Sequence, residues 1–144
     1  LERQVSDSLV CETRIRVRYA ETDRMGVVYH SNYLVWFEVG RVEWLRQMGF
    51  SYREMEEQED LAIAVVDVHC RYKAPARYDE ELIVRTSIKN VRECMIRFLY
   101  EVVRASDSIL LAEGDTTHLV VGRDMKVKAI PEKYMIVFRK VLGR

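Results

Sequence analysis

A chain of 144 residues, 49% hydrophobic and 32% charged, is the size of one domain with a single core. Its 23 basic and 23 acidic residues cancel, so no basic field favours nucleic acid and no acidic tail is present. No apolar run approaches the ~20 residues of a membrane helix, and Cys11, Cys70 and Cys94 are spaced too widely for a metal set, which fits free thiols in a reducing, cytoplasmic setting.

Leu1-Glu2-Arg3-Gln4 lacks an apolar signal core, and residues 1–9 are expected to be flexible or partly a cloning remnant, outside the fold. Residues 10–19 alternate, with Cys11, Thr13, Ile15, Val17 and Tyr19 on one face and Glu12, Arg14, Arg16 and Arg18 on the other. That period of two predicts a half-buried strand. Residues 32–48 lack proline and predict one long helix. At 100° per residue Leu34, Phe37, Trp44, Leu45 and Met48 share a face, and Val35, Val39 and Val42 form a second apolar strip. A helix apolar on two sides is expected to be enclosed, with Gly49 as its stop. Glu38 and Arg41 fall among these apolar positions and are expected to form a partly buried ion pair, against the sheet or a neighbouring subunit.

Residues 61–73, 81–90, 94–105 and 109–121 then read as strands, with short links at Val91-Arg92-Glu93 and Ser106-Asp107-Ser108. Short links imply antiparallel pairing, because parallel strands need a long crossover. A last helix is expected from Pro131, at its first position, to Gly143. The layout is α+β: an antiparallel sheet wrapped on one long helix, with a short C-terminal helix.

The chemistry concentrates between Tyr19 and Tyr33. Asp23 lies in a Gly-containing loop, and seven residues later a helix begins through His30, Ser31 and Asn32. Ser and Asn are good N-caps, and a helix start carries donors and partial positive charge that can hold an oxyanion. On position alone Asp23 also suits a plain turn. Tyr29 and Tyr33 flank the helix start, where packing suits both and Tyr29 is also a substrate-binding candidate. Glu21 does not make a catalytic pair with Asp23, since a loop spacing of two fixes no carboxylate separation. His69 and His118 lie on predicted strands, far apart, where structural roles suit them and a zinc site does not.

Thr22-Asp23-Arg24-Met25-Gly26-Val27-Val28-Tyr29-His30-Ser31-Asn32-Tyr33 resembles the active-site signature of hotdog-fold acyl-CoA thioesterases, in the 4-hydroxybenzoyl-CoA thioesterase-like group and its YbgC-type branch. Phe37–Arg46 resembles the family's central helix. Tyr72–Leu82 resembles its turn into the second half of the sheet, and Ile130-Pro131-Glu132 the approach to its last helix. The resemblance spans roughly residues 10–140, a single hotdog domain within 1–144.

It implies hydrolysis of an acyl-CoA thioester to free acid and coenzyme A. Asp23 would act as nucleophile or general base. The backbone N–H of His30 would polarise the carbonyl, and its imidazole can orient water or protonate the leaving thiolate. No metal and no cofactor are implied beyond the coenzyme A of the substrate. Arg92 best matches the family's phosphate-binding cations, and Lys126 and Lys128 match a second group, although Glu93 and Cys94 depart from the benzoyl-type pattern. The family forms homodimers or homotetramers by joining sheets edge to edge, with active sites at the interface. A Tol–Pal-linked or acyl carrier protein partner also follows from it. The competing readings are a hotdog hydratase or dehydratase on acyl thioesters, whose paired-proline helix motif is absent, and a non-catalytic acyl-CoA sensor or envelope-system adaptor.

Overall fold

Strand β1 covers Cys11–Arg16 in the computed structural model, which describes residues 10–143; the expectation for residues 1–9 lies outside the described residues. β1 stops earlier than the alternation predicts. Its antiparallel register against β3 (Glu81–Arg92) ends at Arg16 opposite Glu81, where the partner strand itself begins. The chain then enters a short 3-10 turn over Tyr19–Glu21, so Tyr19 is exposed rather than part of the inward face.

The central helix α1 spans Asn32–Gln47 and is followed by Gly49 at positive φ. It buries Tyr33, Trp36, Phe37, Gly40, Trp44 and Leu45. Phe37 stacks on Tyr100 at 4.3 Å, and Trp44 meets Phe98 edge-on and stacks on Phe138. Two glycines set how closely helix and sheet approach. A Cβ at Gly40 would collide with Thr86 Oγ1 and Val84, and one at Gly114 would collide with the His69 carbonyl and the Phe37 ring. The expected enclosure fails on one side. Leu34, Val35 and Val39 are exposed, because α1 packs chiefly over β3 and β1 and leaves the far side of the sheet uncovered.

A helix absent from the expectations, α2, spans Tyr52–Glu59. The Ser51 hydroxyl accepts from Glu54 N–H at its start, and Asp60 closes it in the left-handed conformation. Strands β2 (Leu61–Tyr72), β4 (Met95–Arg104) and β5 (Leu110–Gly122) complete one antiparallel sheet in the order β1-β3-β4-β5-β2. β2 is therefore an edge, and Val65, Val66, Val68 and Tyr72 stand exposed along it. Helix α3 spans Glu132–Val141; Pro131 sits at its N-cap, one position before the one expected, because its ψ of 142° is extended.

Candidate active site at the start of the central helix

Glu21 organises the site from below. It is 5% exposed, and its carboxylate accepts from Arg18 N–H (2.7 Å), the Arg18 guanidinium (3.4 Å) and Trp36 Nε1 (3.1 Å). Burial pushes its pKa up, but these three donors and the Arg18 charge outweigh it and hold the carboxyl below its ordinary range. The Glu21 carbonyl accepts from Tyr29 N–H (2.9 Å) and from the Asn32 side chain (2.9 Å). A small hairpin rises from that base. Thr22 opposes Val28, Asp23 N–H donates to Val27 O at 2.8 Å, and Gly26 supplies the positive φ of the turn. Val28 N–H donates to Ala76 O, fixing the hairpin to the chain that leads into β3.

Asp23 stands on this hairpin, two residues from the Glu21–Tyr29 base and roughly 7 Å along it. Its Oδ1 accepts from Met25 N–H (2.8 Å) and Val27 N–H (3.3 Å), so the aspartate also serves as a turn residue. Among the described residues no donor meets Oδ2. One oxygen anchors the carboxylate and the other is available for chemistry.

His30 follows the hairpin base directly. The helix start differs from the expected capping: Ser31 is the N-cap but has helical φ and ψ, and its hydroxyl caps nothing. The first-turn N–H groups of Asn32, Tyr33 and Leu34 are instead taken by the carbonyls of Tyr29, His30 and Ser31 in i→i+3 bonds of 3.0, 3.4 and 3.2 Å. Among the described residues the N–H groups of His30 and Ser31 have no acceptor. They sit at the positive end of a 16-residue helix. The His30 ring is exposed and lies 4.4 Å from the half-exposed Tyr29 ring, while the Tyr72 hydroxyl donates to the His30 carbonyl at 3.0 Å.

The expected cations lie elsewhere in the chain. β3 begins beside the Asp23 hairpin, where Val17 N–H meets Glu80 O, and it runs twelve residues to Arg92, roughly 36 Å away. Lys126 and Lys128 are at that same far end, where Lys128 N–H donates to Val120 O and its ammonium pairs with Asp124. One chain does not bring Arg92, Lys126 or Lys128 to Asp23.

Glu38 and Arg41 make no ion pair with each other among the described residues, because the Arg41 side chain turns inward toward Tyr100 and His118. There the Tyr100 hydroxyl meets Thr116 Oγ1 at 2.6 Å, and Thr116 Oγ1 meets His118 Nε2 at 2.7 Å. Burial, aided by the Arg41 charge, pushes the His118 pKa down to about 4. This buried polar chain carries no sequence signal, since its members come from three elements. His69 is exposed and pairs with Asp67 at 3.1 Å. No His, Cys, Asp or Glu cluster suited to a metal occurs among the described residues, and no helix there is long and apolar enough to cross a membrane.

Comparison with known proteins adds kinship to this geometry. The family model described as the thioesterase-like superfamily matches residues 17–138. The acyl-CoA thioester hydrolase YbgC of Escherichia coli O6:H1 is 34% identical over 129 residues, 88% of this chain and 93% of that protein. The acyl-CoA thioesterase YbgC of Haemophilus influenzae is 32% identical over 124 residues, 86% and 90% of the two chains. Among solved structures, the DHNA-CoA thioesterase of Staphylococcus aureus matches with a TM-score of 0.86 and 32% identity, over 93% of this chain and 91% of that one. The 4-hydroxybenzoyl CoA thioesterase of Pseudomonas sp. strain CBS-3, at 18% identity, shares the fold with a TM-score of 0.82 over 89% and 98% of the two chains.

Proposed function

The chain belongs to the thioesterase-like superfamily, has the hotdog fold and is an acyl-CoA thioester hydrolase; on that premise we propose that Asp23 performs the chemistry and the helix start at His30 holds the oxyanion. The observation that supports this most directly is the state of the Asp23 carboxylate. Oδ1 is pinned by two backbone donors, Oδ2 has none among the described residues, and unspent backbone donors lie just beyond the hairpin base. A fixed carboxylate beside a prepared oxyanion site loses little freedom on reaching the transition state.

Two routes use this geometry. Oδ2 attacks the thioester carbon, coenzyme A leaves as its thiolate and takes up a proton, and water cleaves the resulting mixed anhydride to free acid and Asp23. Alternatively, Asp23 takes a proton from water as that water attacks, and returns it to the departing sulfur. In both, the His30 N–H donates to the carbonyl oxygen as it becomes an oxyanion. Release of free thiol from a panel of acyl-CoA esters of graded chain length tests the assignment. Turnover lost in Asp23→Asn supports it, and full turnover by that variant overturns it.

The active unit in this proposal is a homodimer formed along β2. An exposed, twelve-residue, valine-rich edge strand is a surface that proteins normally cover. Antiparallel pairing of two copies reverses the second strand, so the partner's Leu61 end lies against this chain's Tyr72 end. The partner subunit's Lys126 and the partner subunit's Lys128 then approach this chain's site, where cations suit the phosphates of coenzyme A.

A further inference from the structure

Resting on the hydrolase reading, we propose that Tyr72 is a positioning residue for thioester hydrolysis: its hydroxyl holds the His30 carbonyl so that Ser31 N–H stands beside His30 N–H as a second oxyanion donor. The inference starts from the peptide unit. A trans peptide is planar, and its C=O and N–H point in opposite directions. Whatever fixes the carbonyl therefore aims the N–H.

Both unspent N–H groups at the helix start belong to peptides with held carbonyls. His30 N–H shares its peptide with Tyr29 O, which accepts Asn32 N–H at 3.0 Å. Ser31 N–H shares its peptide with His30 O, whose backbone partner, Tyr33 N–H, is long at 3.4 Å. The short bond to His30 O, 3.0 Å, comes from the Tyr72 hydroxyl. A donor on a carbonyl also polarises the whole amide, which strengthens its N–H as a donor in turn.

Tyr72 is itself well placed. It ends β2 opposite Ala112, and the next residue is tied to β5 through Lys73 N–H and Leu111 O. Its ring packs edge-on against Tyr33 at 5.2 Å and against His30 at 6.3 Å. Burial and the neighbouring Cys70 thiol push its pKa up to about 12, so the hydroxyl keeps its proton and remains a donor throughout the working pH range.

Tyr72→Phe removes the hydroxyl and keeps the ring. The expected result is a fall in kcat of roughly 10-fold with KM changed less than about twofold, because the oxyanion exists only in the transition state. Binding separates positioning from a general loosening. A trifluoromethyl ketone analogue of acyl-CoA, whose adduct bears an oxyanion, should bind Tyr72→Phe weaker by the same factor, while S-alkyl-CoA, which lacks a carbonyl, should bind it unchanged. Tyr52→Phe serves as control, since that hydroxyl accepts Ile63 N–H at the other end of the same strand. It should leave kcat near wild type. Equal weakening of both analogues, or an unchanged kcat in Tyr72→Phe, overturns the inference. Wild-type turnover in the same assay shows whether the hydrolase reading stands independently, and a wild-type enzyme inert toward acyl-CoA overturns both.

Discussion

Trp36 Nε1 donates to the Glu21 carboxylate at 3.1 Å, which bolts the base of the Asp23 hairpin to the first turns of the central helix. Both halves of the site are thus referred to one buried acid. Glu21→Gln keeps the size of the side chain but loses the charge that strengthens three bonds. It should destabilise the fold by about 1–3 kcal/mol in denaturant titration. The sign with pH follows from a carboxyl held low in the native state. Its stabilisation is present above the ordinary carboxylate range, about pH 4, and is lost as pH falls through the lower native value. The gap between wild type and variant should therefore close in acid.

Asp23→Asn should fold normally, because the amide oxygen can still accept from Met25 and Val27. Thioester hydrolysis should drop on the order of 10²–10⁴-fold. Thermal unfolding and thiol release, measured on one preparation, check the two halves.

The His30 imidazole makes only ring contacts among the described residues. His30→Ala should keep activity within about tenfold, with an unchanged pH profile. His30→Pro deletes the N–H and should cost roughly 10²-fold, provided circular dichroism shows the helix intact. An alanine variant as inactive as Asp23→Asn would move the role to the ring.

If β2 is the assembly edge, Val66→Lys combined with Val68→Lys should shift the protein to monomer in sedimentation, because buried ammonium groups oppose pairing. Activity should fall with it. A fully active monomer would show that one chain holds a complete site.

His118 is held neutral, with its pKa at about 4, whereas an unfolded histidine binds a proton below about 6.5. Between those values the unfolded state binds more protons, so stability rises with pH across the window. From pH 7 down to pH 4 the wild type should lose on the order of 2–3 kcal/mol through this residue. His118→Gln should flatten that slope in urea titrations at a series of pH values.

Where local pattern and tertiary context agreed, the sequence was readable. The strands and α1 emerged within a few residues, since alternation and a proline-free run persist over many positions. α2 escaped because Tyr52–Glu59 is short and almost wholly charged on one side; the Ser51 and Glu54 spacing was its one marker. The alternation carries on through Tyr19 although the strand does not, because the pairing partner ends first, at Glu81 opposite Arg16. In the site, Asp23 and His30 carried a motif. Tyr72 and Glu21 did not, because their bonds span 42 and 15 residues and only the fold closes them. Helical spacing alone pairs Arg41 with Glu38, whereas the Tyr100 hydroxyl that meets it comes from β4 and only the fold brings it there.

The missing side chains at Gly40 and Gly114 bear on how activity screens of this protein are interpreted. Any substituent there wedges helix from sheet and tilts the rod whose first turn aims the His30 peptide. Variants at these two positions will score as catalytically dead although neither residue touches the reaction. A map drawn from inactive mutants would place false hot spots in mid-helix and in mid-sheet, and only a parallel measure of folded protein would erase them.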